Sequence, residues 1–111
     1  MTTDHPPIYI DFLNRLDIEA IGFGNDDILR AVESGLSLQG RGETVIEPRV
    51  HLEPGVANGH FNVLRGSVGG DIDLAGVKVV GDFVDNYKSL LPSEMAVLIL
   101  LDRFTGVTGP L

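Results

Sequence analysis

A lysine stands in the middle of a run that otherwise has the character of a sheet interior. From Ala75 to Phe83 the chain reads AGVKVVGDF, with β-branched residues at Val77, Val79 and Val80 and a glycine near each end. Lys78, one of only two lysines in the sequence, sits at its centre. An ammonium in an apolar strand costs several kcal/mol unless it is paired, neutral or facing an anion. Two arrangements meet that condition. On an edge strand an outward lysine blocks sheet-to-sheet association; in a cleft it receives an anionic ligand.

The elements around this strand follow from periodicity. Residues 1–7 read as a loose polar tail ending in Pro6-Pro7, and residues 8–111 as one domain. Ile8–Ile10 has the makings of a short strand. Leu13, Leu16, Ala20 and Ile21 recur at helical spacing up to Gly22. A second helix follows, with Asn25 as the expected N-cap and Asp26 and Asp27 in the first turn, where carboxylates suit the helix dipole. Ile28, Leu29, Val32, Leu36 and Gln39 mark the stripe expected to face a core, and Arg41-Gly42 closes the helix.

The period then changes to two. Unbroken alternation over Val45–Leu52 puts Val45, Glu47, Arg49 and His51 on one face and Ile46, Pro48, Val50 and Leu52 on the other, with Pro48 arguing for an edge or a bulge. Asn58-Gly59 is a hairpin signal leading into a strand at His60–Arg65, and Gly66–Gly70 reads as a flexible corner. After the Lys78 strand come a polar loop to Glu94, the apolar strand Met95–Leu101 and a turn at Asp102–Gly106. The expected fold is α+β: two N-terminal helices on one face of a mostly antiparallel or mixed sheet of about five to six strands.

Charge and composition exclude several functions. A net charge of -8 disfavours nucleic acid and anionic membranes, yet a local group of cations can still reverse the sign of one cleft. With no cysteine there are no disulfides, no thiolate nucleophile and no Cys-ligated zinc. The first residues carry no basic n-region and the longest apolar run is too short for a bilayer, so the expected compartment is the cytoplasm.

Three constellations invite chemistry. Gly22-Phe23-Gly24 before a helix imitates a dinucleotide fingerprint, but Asp27 occupies the third glycine position and a helix, not a strand, precedes it. His51 and Glu47 on one strand face, with His60 across the hairpin, supply the residue types of a two-His-one-carboxylate site; hydrogen-bonded histidines on a wet sheet are the simpler reading, and no metal is expected. Arg49, Lys78 and Arg65 project from neighbouring strands, where they either pair with Glu47 and Asp82 or grip a ligand carboxylate.

The helix DDILRAVESGL, the strand with Pro48-Arg49 and the stretch GVKVVGDFVDNYKSLLPSEMAVLILLDRFTG together resemble the ornithine cyclodeaminase and μ-crystallin family over Ile8–Gly106. The last stretch matches the family's G-V-K strand, its loop ending in Leu-Pro-Ser or Leu-Gln-Thr, and an apolar strand with a D-x-x-T-G turn. The resemblance implies a substrate and dimerisation domain, with Arg49 holding a substrate carboxylate, Lys78 contacting it and assisting proton transfer, and Ser93 offering a hydroxyl nearby. Arg65-Gly66 stands where many members carry Met-Pro, and the added cation favours a more acidic ligand. Members continue past Gly106 into a Rossmann domain that binds NAD(P). The expectation is therefore a truncated, free-standing homodimer packed through its sheet, binding an amino, imino or keto acid, with no cofactor of its own and no turnover alone. The alternative is one half of a split NAD(P)-dependent enzyme.

Overall fold

The computed structural model describes residues 4–108; residues 1–3 of the expected tail and 109–111 of the expected domain lie outside the described residues. Chain order runs α1 (Arg15–Ile21), α2 (Asn25–Gly40), β1 (Thr44–Ile46), β2 (Val50–Leu52), β3 (Gly59–Val68), β4 (Leu74–Phe83), a 3-10 turn at Asn86–Ser89, and β5 (Glu94–Leu101). All strand pairings are antiparallel, in the order β1-β3-β4-β5, with β2 beside β1 along the same edge of β3. The α+β class and the sheet of five strands agree with the sequence.

α1 begins with a reciprocal cap. Asn14 Oδ1 accepts the Asp17 amide at 3.0 Å and the Asp17 carboxylate accepts the Asn14 amide at 2.9 Å. Gly22, at φ 75°, ends it in the left-handed conformation. Ile8–Ile10 is not a strand: three residues beside a Pro-Pro pair join no sheet edge, and they remain irregular and exposed. α2 is capped by Gly24 rather than Asn25, which is its first helical residue; the Gly24 amide donates to Asp27 at 2.9 Å.

The expected core stripe of α2 is not covered. Ile28, Leu29, Val32 and Leu36 are exposed, and Leu38, at 4% exposure, is the buried hydrophobic residue among those described. The cause is how the helix meets the sheet. Glu43 donates its amide to the Leu38 carbonyl and accepts the Gly69 amide on its own carbonyl, tying the helix C-terminus to the β3–β4 turn. Leu38 fills the space over Gly70 there, so α2 touches the sheet at a corner.

Register reveals a bulge. In β1, Ile46 lies across from Gly66, and the Glu47 amide donates to the Arg65 carbonyl. In β2, Val50 lies across from Val63. Between these two registers Pro48 and Arg49 both oppose Leu64. An extra residue of this kind inverts the alternation beyond it. Val45, Val50 and Leu52 therefore share a face, contrary to the unbroken alternation read from the sequence, and Glu47 falls on the opposite face from His51.

Candidate functional site

The sheet has two unlike faces. One carries Val45, Val50, Leu52, Phe61, Val63, Val77, Val79, Phe83, Met95, Val97, Ile99 and Leu101, interrupted by Arg65 and Ser67. The other carries His51, His60, Asn62, Leu64, Lys78, Val80, Asp82, Glu94 and Leu98. Phe61 and Phe83 pack edge-to-face on the first, centroids 5.2 Å apart, and His51 stacks on His60 at 5.4 Å on the second.

Lys78 lies on the polar face of β4, an interior strand, between Leu64 on one side and Leu98 on the other. The edge-strand explanation thus fails. Burial fails as well: Lys78 is exposed, because no helix among the described residues covers this part of the sheet. Extending the row past Leu64 reaches the Pro48-Arg49 bulge. Since Val50 points to the apolar face, alternation returns Arg49 to the face of Lys78, two strand spacings or about 10 Å away between Cα atoms. Both side chains are long enough to meet on a small ligand above Leu64.

Two expected members of the site are not brought there. Arg65 pairs with Val77 and so points to the apolar face, away from Lys78. The Ser93 carbonyl accepts the Phe83 amide at 2.9 Å, which sets Ser93 five residues or about 17 Å along β4 from Lys78, beyond the reach of a shared small ligand.

Ion pairing separates the cations cleanly. Arg15, Arg30, Arg41, Lys88 and Arg103 pair with Glu19, Asp27, Glu43, Asp85 and Asp73 respectively. Among the described residues, Arg49, Arg65 and Lys78 have no such partner. The suggested pairing of Arg49 and Lys78 with Glu47 and Asp82 is absent there: Asp82 lies four residues down the strand, and the bulge turns Glu47 to the other face.

The sequence did not single out Asn62, which lies on the polar face between His51 and Val80. Its Oδ1 is buried and has no hydrogen-bond partner, leaving an acceptor two residues from the Lys78 row. The signal was the alternation of polar His60 and Asn62 with apolar Phe61 and Val63. No group of three or more residues able to hold a metal ion occurs among the described residues, and the face switch at the bulge separates Glu47 from the histidine pair.

These residues also do not fit a dinucleotide. α1, not a strand, precedes Gly22-Phe23-Gly24, and the Gly24 amide that would face a pyrophosphate is taken by the Asp27 carboxylate.

A sequence profile described as the ornithine cyclodeaminase/mu-crystallin family matches residues 10–110. The chain belongs to that family. Solved structures similar to this ornithine cyclodeaminase/mu-crystallin family chain include an archaeal alanine dehydrogenase dimer with bound NAD, at 27% identity and a TM-score of 0.73 over 83% of this chain. Another is the Δ1-pyrroline-2-carboxylate reductase of Thermococcus litoralis in complex with NADH and L-proline, at 27% identity and a TM-score of 0.71 over 80% of this chain. The family chain described here spans 27% of the length of each of them. No curated protein matches it.

Proposed function

We propose that these residues form the carboxylate-binding and dimerisation part of an amino- or imino-acid enzyme of this family, and that they bind ligand without turning it over alone. The reading rests on one observation: Arg49 and Lys78, neither ion-paired among the described residues, share a cross-strand row around Leu64. A guanidinium grips both oxygens of a carboxylate, and the ammonium adds a point charge. In this reading Lys78 also exchanges a proton with the ligand nitrogen. L-proline, present in one of the similar structures, is a small carboxylate of this class.

Hydride transfer requires a nicotinamide, which the residues above do not fit. In this reading a nucleotide-binding domain, on this polypeptide or on another, completes the enzyme over the polar face. The NAD and NADH of the similar structures support that second component.

Thermal unfolding in the presence of L-proline, L-alanine, ornithine and pyruvate tests the carboxylate site. Ligand at about 100 times its Kd stabilises a protein by about 2.7 kcal/mol, a rise of about 10 °C for a domain of this size. Lys78→Ala and Arg49→Ala are each expected to abolish that rise while Arg65→Ala leaves it intact. No rise in the unsubstituted chain, or one indifferent to Lys78→Ala, overturns the site.

The dimer joins two copies through the apolar face. The chain exposes 9077 Å², whereas a compact monomer of its mass exposes about 6,000 Å². Its radius of gyration is 17.3 Å, against about 13 Å for a compact domain of this length. Surface on that scale, with one face almost free of charge, suits an interface between obligate partners.

A further inference from the structure

The loop between β2 and β3, residues 53–58, lies outside the strand ladders and ends on Asn58, which is exposed. The glycine after it is set by packing rather than by a turn. Gly59 is not in the left-handed region, but it lies across from Phe83. A Cβ there would overlap the Phe83 ring and stand 2.7 Å from the Asp82 carbonyl oxygen. That ring is itself held edge-to-face against Phe61. The sheet therefore demands glycine directly after an exposed asparagine, the following residue that least obstructs attack of the backbone on the asparagine side chain.

We propose that Asn58 is a site of spontaneous modification, converting to aspartate and isoaspartate through a cyclic imide with Gly59. The Gly59 nitrogen loses its proton and bonds to Asn58 Cγ; the Cγ–Nδ2 bond breaks, and ammonia carries that proton away. Water then opens the imide. Cleavage of the new bond to Cγ leaves aspartate, and cleavage of the original peptide bond leaves isoaspartate, with no change of oxidation state on either route. The backbone leaves the attacking nitrogen available. β2 ends at Leu52, across from Phe61, so the Gly59 amide lies past the end of that ladder. Its acceptor is the Ala57 carbonyl at 3.0 Å, two residues back, which closes a three-residue turn and not a ladder bond.

The other asparagines are held differently. Asn14 caps α1 through its Oδ1, Asn25 starts α2, Asn62 lies inside β3, and Asn86 donates Nδ2 to the Pro92 carbonyl at 2.9 Å. Arg15, Asp26, Val63 and Tyr87 follow them, each with a side chain that crowds the attacking nitrogen. Conversion at Asn58 adds a negative charge to a chain already at -8. In the isoaspartate form the backbone is also one methylene longer, at the point where the Asn58 carbonyl accepts the Val84 amide at 3.2 Å. Asn58 stands six residues or about 20 Å along the chain from Leu64, so the modification is separate from the Arg49–Lys78 row and does not depend on the reading of that site.

Incubation of the whole chain in mildly alkaline buffer, followed by peptide mapping with mass spectrometry, provides the test. The peptide holding Asn58 is expected to gain the mass of an amide-to-acid exchange and to resolve into two isomers, the isoaspartyl form in excess, while the other asparagines stay intact. Asn58→Gln, whose longer side chain closes a less favourable ring, is expected to remain unconverted over the same period. The rate in the folded chain is expected to lie within about ten-fold of the rate in guanidinium chloride, since a loop outside the ladders opens at little cost in free energy. A folded rate further below the unfolded one than that means the sheet protects Asn58, and overturns the proposal. Conversion led by any other asparagine overturns it as well.

Discussion

Asp102 shows how one side chain can organise a terminus of the sheet. Its carboxylate accepts the amides of Phe104 at 2.8 Å and Thr105 at 2.9 Å, just after β5. Those bonds, led by the one from Thr105, favour the ionised carboxylate and hold its pKa below the ordinary value of 3.8. A carboxyl with a depressed folded value binds protons more readily when unfolded. Its stabilisation is therefore present above pH 3.8 and is lost as the pH falls below it. Protection of the Gly106 amide from exchange, relative to its intrinsic rate, is expected to fall in that acid range, since that amide donates to the Asp102 carbonyl at 2.8 Å. In Asp102→Asn the acid-dependent step is expected to disappear. Lys78 is the other residue whose importance was visible in the sequence, because a cation among valines demands an explanation wherever the strand lies. Its exposure was not visible, since that depends on what fails to cover the sheet.

At the level of elements, turn and cap chemistry made most boundaries legible. Gly22 ends α1, Asn58-Gly59 opens β3, and Pro48 marks the irregularity its missing amide requires. The two-for-one opposition of Pro48-Arg49 to Leu64 was not legible, because a bulge is a relation between two strands and only one is read at a time. Two errors about faces descend from it, Glu47 reading as a neighbour of His51 and Val45 as apart from Val50 and Leu52, while Arg65 departs from Lys78 through the register of β3 against β4. The α2 stripe misled for a different reason. Helical spacing reports that a face is apolar, and says nothing about whether the cover is present. The contact that does exist gives a prediction. Gly70 has φ 56°, and a Cβ there would stand 2.5 Å from Leu38 Cδ2. Gly55, at φ 79°, has nothing within 4 Å. Gly55→Ala is expected to cost about 1 kcal/mol of backbone strain, and Gly70→Ala about 1–3 kcal/mol more from displacing Leu38. Urea denaturation of the two variants measures the difference.

For the whole molecule, surface decides. An excess of about 3,000 Å² over a compact monomer exceeds one partner's share of an ordinary dimer interface, about 800 Å². The apolar face accounts for part of it; the exposed Phe12, Leu13, Leu16 and the α2 stripe account for more. Val97, 62% exposed on the apolar face, is the position to probe. Val97→Asp is expected to yield a monomer in sedimentation velocity with strand content unchanged by circular dichroism, since a buried unpaired carboxylate costs several kcal/mol. β5 adds a second consequence. It is the last strand of the order, and from Met95 to Leu101 it carries no charge along its outer margin. Joining two such sheets face to face leaves both margins open, one on each copy, with backbone donors and acceptors available to a further strand. Unless something caps them, such dimers can add end to end, and growth rather than unfolding becomes the limit on how concentrated the protein can be kept.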